Sequence, residues 1–132
     1  AFPASIYGDT VRDRVCLETL RGEGKIRHAG LSNESAWGTA QWLRLAEDGA
    51  LPRMASIQNE YSLLCRLFDT DLAELAHNED VGLLAFSPLA CGLLTGKYQA
   101  DTPPPQGSRK SITSDLGGRI APRLWPAIDA YA

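Results

Sequence analysis

Residue types and patterns that mark several protein classes are scarce in this sequence. Only three of the 132 residues are cysteine, they lie far apart, and no CxxC pair occurs. Neither a disulfide framework nor a zinc site is therefore expected, since neither histidine lies at ligand spacing from a cysteine. This cysteine usage fits a reducing cytosol, so we expect a cytoplasmic protein.

The sequence also lacks a large excess of charge of either sign. Thirteen basic residues against 16 acidic ones give a net charge of -3, which excludes a strongly basic nucleic-acid-binding chain. No apolar run approaches the ~20 residues of a membrane helix, and the start of the chain lacks the features of a secretory signal. We expect neither nucleic acid nor membrane as a partner. With 44% hydrophobic and 22% charged residues, the composition is that of a soluble globular domain.

The pattern of apolar residues predicts strands that alternate with helices. The predicted order is helix 10–21, strand 26–32, a helix capped by Ser35, strand 54–58, a helix capped by Asp69, Thr70 and Asp71, and strand 81–87. A helix between two strands forces a parallel crossover. The run 81–87 is apolar almost throughout, which is typical of a strand buried on both faces of a parallel sheet.

Side-chain spacing also predicts which helix residues pack. We expect Trp37, Ala40, Leu43 and Ala46 to form the inward face of the second helix. All three tryptophans, Trp37, Trp42 and Trp125, are interpreted as packing residues. Residues 101–111 contain three consecutive prolines and predict an exposed, semi-rigid loop, and a final helix is predicted from Pro122 to the end.

The fold class predicted from this order is α/β, a partial (β/α)₈ TIM barrel with about three parallel strands. A complete barrel needs eight strands and ~250 residues, so this chain supplies fewer than half of the strands. Two bare sheet edges and an apolar inner face favour pairing with other chains, so the isolated chain is expected to self-associate. The chain does not begin with methionine, and we expect it to be processed or part of a longer protein.

A polar amide or hydroxyl group lies at the end of each predicted strand. The first strand ends in Ser32 and Asn33, the second ends in Gln58, and the third ends in Phe86 and Ser87. Ligand sites in α/β folds lie at these strand ends, amides suit a carboxamide, and an aromatic ring suits stacking. At a single strand end, such residues are commonly turn and capping residues. Their occurrence at three strand ends favours a ligand-binding site.

Three stretches resemble the aldo-keto reductase superfamily. They are GKIRHAGLSN at 24–33, IQNEYS at 57–62 and AFSPLACGLLTGKY at 85–98. The third is similar to the branch that holds bacterial general-stress reductases and potassium-channel β-subunits. The resemblance spans roughly residues 11–110, and it implies a single partial domain over 1–132, corresponding to the fifth to seventh βα units of the barrel.

The resemblance implies an NADP-dependent reductase of aldehydes and ketones, with NADPH as the cofactor and a small carbonyl compound as substrate. Residue by residue, Ser32, Asn33 and Gln58 match the nicotinamide carboxamide contacts, and Phe86 matches the ring that stacks on the nicotinamide. The pyrophosphate loop is matched by Ser87, Pro88, Leu89, Ala90, Cys91 and Gly92. The phosphate-side contacts and the cofactor flap are matched by Thr95, Lys97 and Arg109.

No residue matches the catalytic Asp, Tyr, Lys and His of that family, and neither Tyr7 nor His28 lies in its motifs. The resemblance therefore implies that this chain carries the cofactor-binding part and is inactive alone. The preference for NADP over NAD is a family expectation. Two alternatives remain, a nucleotide-binding regulatory subunit and a catalytically inactive fragment.

Other signals favour no further site. The segment Gly92–Lys97 has one residue too few between its glycines for a P-loop. The acidic residues around Asp69–Asp80 are those of a solvated, capped helix. Cys91 is either a redox-sensitive thiol or a small packed residue, and packing is the simpler interpretation.

Overall fold

The computed structural model describes residues 10–49 and 51–131. Its helices are α1 (Thr10–Gly22), α2 (Ala36–Glu47), α3 (Leu72–Asn78), α4 (Arg109–Ile112) and α5 (Leu124–Tyr131). Its strands are β1 (Ala29–Ser32), β2 (Met54–Glu60) and β3 (Gly82–Phe86), which form one parallel sheet in the order β1–β2–β3. The predicted alternation of helices and parallel strands is confirmed. Tyr7 and Ala132 lie outside the described residues.

The turn between α1 and β1 shows why the first strand starts later than predicted. Gly24 adopts a left-handed conformation, with φ of 71°. Its N–H donates to the Arg21 carbonyl, while the Lys25 N–H donates to the Leu20 carbonyl at 2.9 Å. This pattern is a Schellman cap, and the Ile26 N–H also donates to Leu20. Ile26 is thus held by the end of the helix, and β1 begins at Ala29.

Helix α2 begins as predicted, but its packing face is rotated. The Ser35 hydroxyl accepts a hydrogen bond from the Gly38 N–H at 3.1 Å, as an N-cap residue does. Trp37 is 60% exposed, so its prediction as an inward residue is wrong, whereas Trp42 is buried. The buried face holds Gly38, Thr39, Trp42 and Leu43. Its members form two adjacent pairs four residues apart, and only Leu43 is shared with the predicted face.

The pairing of β1 with β2 contains one irregularity. Ala29 pairs with Met54, but the next residue, Gly30, pairs with Ser56. Ala55 therefore has no partner on β1, as in a β-bulge. A Cβ atom on Gly30 would lie 2.5 Å from Ser56 Oγ and 2.9 Å from the Ser56 carbonyl oxygen. Glycine is required there because the neighbouring strand occupies the space of a side chain.

Strand β3 departs from its predicted burial. Asp71 caps α3, as predicted, by accepting from the Leu72 N–H at 2.7 Å, and Val81 ahead of the strand is buried. Leu84 in the middle of β3 is 56% exposed, however, so the prediction that both faces of this strand are buried is wrong for this chain. The reason is that the face of the sheet that holds Leu84 is left largely uncovered by the described residues.

The chain divides into two compact units. Of the described residues, the first comprises those up to Asn59 together with Phe68–Leu84. Its buried apolar side chains are Trp42, Leu43, Leu51, Met54, Ile57, Phe68, Leu72 and Val81. The second comprises Glu60–Leu67 and the residues from Ala85 onward, and its core is formed by Ala90, Leu93, Tyr98, Leu116 and Ile128. The final helix, α5, contributes Ile128 to that core, and it starts two residues later than predicted.

Between residues 101 and 111 the predicted loop is mostly exposed, and its last residues form the short helix α4. Among the helices of the described ranges, none is long and apolar enough to cross a membrane.

Candidate functional site

In the first unit, the predicted polar residues of β1 and β2 lie side by side. Ser32 is the partner of Gln58 in the sheet register, so both side chains stand at the same level of the two strands. The Asn33 N–H donates to the Gln58 carbonyl at 2.9 Å. Asn33 itself has a φ of 54°, a left-handed conformation that asparagine tolerates better than most residues. This turn ends β1 and places Asn33 next to the Ser32–Gln58 pair.

These three residues, which we name the amide rim, are exposed and rich in hydrogen-bonding groups. Asn33 Nδ2 donates to Ser32 Oγ at 3.2 Å, which fixes the two side chains against each other. The Gln58 amide makes no side-chain hydrogen bond with the described residues. A neighbouring amide and hydroxyl present both donors and acceptors, which is the chemistry that a planar carboxamide requires.

In the second unit, the residues from Phe86 to Gly92 form a compact turn after β3. Phe86 is half-buried and its carbonyl accepts from the Tyr61 N–H at 3.3 Å. Ser87, Ala90, Cys91 and Gly92 all have positive φ, between 47° and 97°. The Ser87 carbonyl accepts from the Ala90 N–H at 2.8 Å. So many left-handed residues in six positions are costly, and such strain is concentrated at functional turns.

Lys97 lies directly against this turn. A Cβ atom on Gly92 would come within 2.7 Å of Lys97 Cε and 2.9 Å of Lys97 Nζ. Glycine at position 92 thus lets the ammonium group sit on the backbone of the turn. Thr95 closes the same segment, since its hydroxyl donates to the Gly92 carbonyl at 2.7 Å. Within this unit the structure brings together the predicted residues of the turn, Thr95 and Lys97.

Arg109 makes no side-chain hydrogen bond with the turn, Thr95 or Lys97. It is the first residue of α4, its side chain is exposed, and it makes no ion pair or side-chain hydrogen bond with the described residues. A guanidinium without an internal partner is available to an anionic ligand. The ligand-binding roles of these residues, from the amide rim to Arg109, stay predictions.

Sequence reasoning missed an ion pair in the second unit. Arg119 Nε and Nη2 donate to the two carboxylate oxygens of Glu60, each at 2.8 Å. Its Nη1 also donates to the Leu116 carbonyl at 2.8 Å. The bonds to Glu60 raise the pKa of the Arg119 guanidinium above its ordinary value, despite some burial. Glu60 is the last residue of β2, so the pair fixes the end of that strand to the carboxyl-terminal segment of the same unit.

A second missed residue is Tyr98, which is only 2% exposed. Its phenol oxygen accepts from the Lys110 N–H at 3.2 Å. Burial would raise the pKa of this phenol, but the Lys110 N–H, the Ser108 hydroxyl and the Lys97 ammonium outweigh it and lower that pKa below 10.0. The signal in the sequence was the Lys97-Tyr98 pair that ends the third motif.

The first unit also contains a cavity of about 580 Å³ at the other ends of its strands. Its lining includes Arg27, His28, Ala29, Met54 and Gly82. Ala29, Met54 and Gly82 are the first residues of their strands, whereas the amide rim lies towards the carboxyl ends of β1 and β2. This cavity is therefore separate from the predicted site. Within residues 10–49 and 51–131, no group of three His, Cys, Asp or Glu side chains could hold a metal ion.

Comparison with known proteins identifies the relatives of this chain. The model of the Aldo/keto reductase family matches residues 10–127. The protein named Tas of Escherichia coli is 44% identical over 115 residues, which are 87% of this chain and 33% of that protein. The NADH-specific methylglyoxal reductase of the same organism is 31% identical over 109 residues, 83% of this chain and 28% of that protein.

A solved structure agrees with these relatives. The glycerol dehydrogenase of Gluconobacter oxydans matches 96% of this chain and 36% of its own, with a TM-score of 0.69 and 26% identity. The chain thus spans about a third of the length of the proteins that it matches.

Proposed function

The chain belongs to the aldo/keto reductase family, and on that premise we propose that it carries the cofactor-binding part of an NADP-dependent reductase of aldehydes and ketones. The observation that carries this proposal is the amide rim, because Ser32, Asn33 and Gln58 lie together with their polar groups exposed. The fold, three parallel strands with flanking helices, is a part of the (β/α)₈ barrel of this family. We place the chain, as one partial domain, at the fifth to seventh βα units of the barrel.

A bound nicotinamide dinucleotide supplies the hydride for such a reduction. In this proposal Asn33 and Gln58 hold the carboxamide of the cofactor, and Ser32 keeps the Asn33 side chain oriented through its 3.2 Å hydrogen bond. The Phe86 ring offers the stacking surface. These residues orient the nicotinamide and leave proton transfer to other groups.

The phosphates are assigned to the second unit. The turn Ser87–Gly92 and the adjoining Lys97 combine backbone groups with a cation, and such a combination suits phosphate oxygens. Thr95 holds the turn closed, and Arg109 adds an unpaired guanidinium. Each unit by itself therefore offers groups that suit one part of a dinucleotide.

We propose NADP rather than NAD as the cofactor. The methylglyoxal reductase relative is NADH-specific by name, so NADH is the competing choice. We further propose that the chain alone does not reduce carbonyls, since it offers no match to the catalytic Asp, Tyr, Lys and His. General acid–base help is worth about 10²–10⁴-fold in rate. A cytoplasmic location is proposed from the sparse, unpaired cysteines.

The test is a titration of the chain with NADPH and, separately, with NADH, followed by calorimetry. Removing one charge-assisted bond should weaken NADPH binding by about tenfold or more in Lys97→Ala and in Arg109→Ala. Asn33→Ala should weaken it as well, through loss of the carboxamide contact. Arg44→Ala is the matched control, because Arg44 is an exposed arginine on α2 away from the amide rim.

Absence of NADPH binding by the wild-type chain, or equal affinities of all variants, would contradict the proposal. Tighter binding of NADH than of NADPH would overturn the choice of NADP only. NADPH oxidation that depends on an added aldehyde would contradict the proposed inactivity of the isolated chain.

A further inference from the structure

Residues 99–109, which we name the strap, leave the core of the second unit at Tyr98 and return to it at Lys110. The strap contains Pro103, Pro104 and Pro105, and most of its side chains are exposed. Tyr98 belongs to the buried core cluster with Leu93 and Ile128. An eleven-residue excursion over the surface therefore begins at one of the best-buried side chains of the unit.

Lys110 closes the strap onto that same tyrosine. Its backbone N–H donates to the Tyr98 phenol oxygen at 3.2 Å, and its Nζ donates to the Gln99 carbonyl at 3.4 Å. The ammonium lies 4.7 Å from the centre of the Trp125 ring and 5.8 Å from that of Tyr98. Both separations fall within the range of a cation–π contact. The two ends of the strap are thus fixed to each other by several independent contacts.

The two cations assigned to the cofactor phosphates flank this closure. Lys97 directly precedes Tyr98, and its Nζ lies 5.1 Å from the Tyr98 ring centre. The Tyr98 ring also lies 3.3 Å from where a Cβ on Gly92 would be, so it supports the turn as well. Arg109 directly precedes Lys110. Holding Tyr98 against Lys110 therefore restricts the backbone of both cations at once.

We propose that Tyr98 and Lys110 form a clasp that positions Lys97 and Arg109 for the phosphates of the dinucleotide. Tyr98 is a positioning residue in this inference, since its hydroxyl is occupied by the Lys110 N–H. The inference rests on the proposed function for the identity of the ligand, but the clasp itself is a property of the chain without ligand. The two parts can be tested separately.

The clasp is tested by limited trypsin digestion of the chain without ligand. Trypsin cuts after Arg109, and the nitrogen of that peptide bond is the group that donates to Tyr98. Tyr98→Phe removes the acceptor and keeps the ring, so the bond should be cut about two- to tenfold faster, as expected for one lost hydrogen bond. Cleavage after Arg44 in α2 is the internal reference. Tyr131→Phe, an exposed tyrosine of α5, is the matched control variant.

The positioning role is tested by NADPH titration of the same variants. Tyr98→Phe removes no charge, yet it should weaken NADPH binding about two- to tenfold. Lys110→Gln should increase cleavage after Arg109 and weaken NADPH binding, and Lys110→Arg should restore both because it keeps the cation over the rings.

The cleavage rates test the clasp, and the NADPH affinities test the positioning role. Unchanged cleavage in both Tyr98→Phe and Lys110→Gln would overturn the clasp. Faster cleavage with wild-type NADPH affinity would overturn the positioning role while leaving dinucleotide binding intact. A wild-type chain that does not bind NADPH would instead overturn the proposed function, and with it the phosphate-binding role of Lys97 and Arg109.

Discussion

The Arg119 guanidinium and the Glu60 carboxylate meet in a two-point contact, with both N–O distances at 2.8 Å. The two side chains retain about a quarter of their exposure, 27% and 26%. This geometry gives fixed direction as well as attraction, which a single contact between flexible chains lacks. It also joins residues that are 59 positions apart in the chain.

Removing this contact should destabilise the chain. We expect Arg119→Met to lower the free energy of unfolding by about 1–3 kcal/mol, because the partly buried Glu60 carboxylate then loses its partner. Lys25→Met is the control, since Lys25 pairs with Glu23 at 2.7 Å but with 65% and 49% exposure, and its loss should be about 0.5 kcal/mol or less. Urea unfolding measures both variants. Equal losses in the two would show that the burial of Arg119 is irrelevant.

Gly30 is expected to tolerate no side chain. Gly30→Ala places a methyl group on Ser56, and the resulting overpacking should cost about 1–3 kcal/mol. Gly82→Ala is the matched variant in β3, where the nearest atom is the Ala55 carbonyl oxygen at 3.6 Å, an ordinary contact. It should be neutral or slightly stabilising, through the reduced entropy of the unfolded chain. Thermal unfolding of both variants provides the measurement, and a neutral Gly30→Ala would contradict the tight register.

Alanine at Gly92 and at Gly96 should strain the backbone alike, but the two positions differ in what the added methyl group would contact. Both have positive φ, 97° and 74°, so alanine should strain the backbone at either position. Only at position 92 does the added methyl group also meet Lys97. If the proposed function holds, Gly92→Ala should weaken NADPH binding about tenfold, while Gly96→Ala should lose stability and retain affinity. The reverse order of affinities would argue against a phosphate role for Lys97.

Ionisation of Tyr98 should precede that of an ordinary tyrosine. Burial opposes it, but the Lys110 N–H, the Ser108 hydroxyl and the Lys97 ammonium lower the pKa of this phenol in the folded chain. A lowered pKa stabilises the fold fully above pH 10.0, the ordinary value, and this contribution is lost as the pH falls through the folded-state pKa. The stability of the wild type relative to Tyr98→Phe should therefore rise with pH in that window.

Titration of the tyrosine absorbance gives the direct measurement. An ionisation step below pH 10.0 should be lost in Tyr98→Phe and persist in Tyr131→Phe. Persistence of the early step without Tyr98 would assign it to another residue.

Self-association is expected of the isolated chain. β3 is an outer strand with Leu84 56% exposed, and such an edge pairs readily with a second copy. Sedimentation should give a mass above 14.3 kDa. Leu84→Lys should shift the chain toward the monomer, whereas Leu63→Lys, a similarly exposed leucine outside the strands, should not. A monomeric wild type with a cooperative melt would contradict this expectation.

Local chemistry explains what the sequence could predict. Ser35 and Asp71 cap helices as predicted, because an N-cap depends on a side chain and an N–H one to three residues away. Strand β2 was predicted to end at Gln58 but runs on to Glu60, so the end of this strand was placed two residues too early. The Schellman cap at Gly24 is also a local feature. It shortens β1, because the Ile26 N–H donates to the Leu20 carbonyl at the helix end and is not available to the sheet.

Contacts between distant residues could not be predicted. The choice between Trp37 and Trp42 as the buried tryptophan depends on the helix rotation that tertiary packing selects, and the predicted and observed faces share only Leu43. The pair Glu60–Arg119 and the Lys110 clasp on Tyr98 join residues that follow no helical or strand period. The exposure of Leu84 depends on what covers an outer strand, which an apolar run does not specify.

The unpaired Ala55 sets the register of the rest of β2 against β1. If Ala55 were paired with Gly30, β2 would continue in step from Met54, and Ser32 would face Ile57 instead of Gln58. An aliphatic side chain would then stand beside the serine, and the amide would move up one level, onto the opposite face of the strand. Deleting Ala55 should instead leave the Ser32–Gln58 pair in place, because Ser56 already pairs with Gly30. The residue that β1 leaves unpaired thus decides which functional group stands beside Ser32.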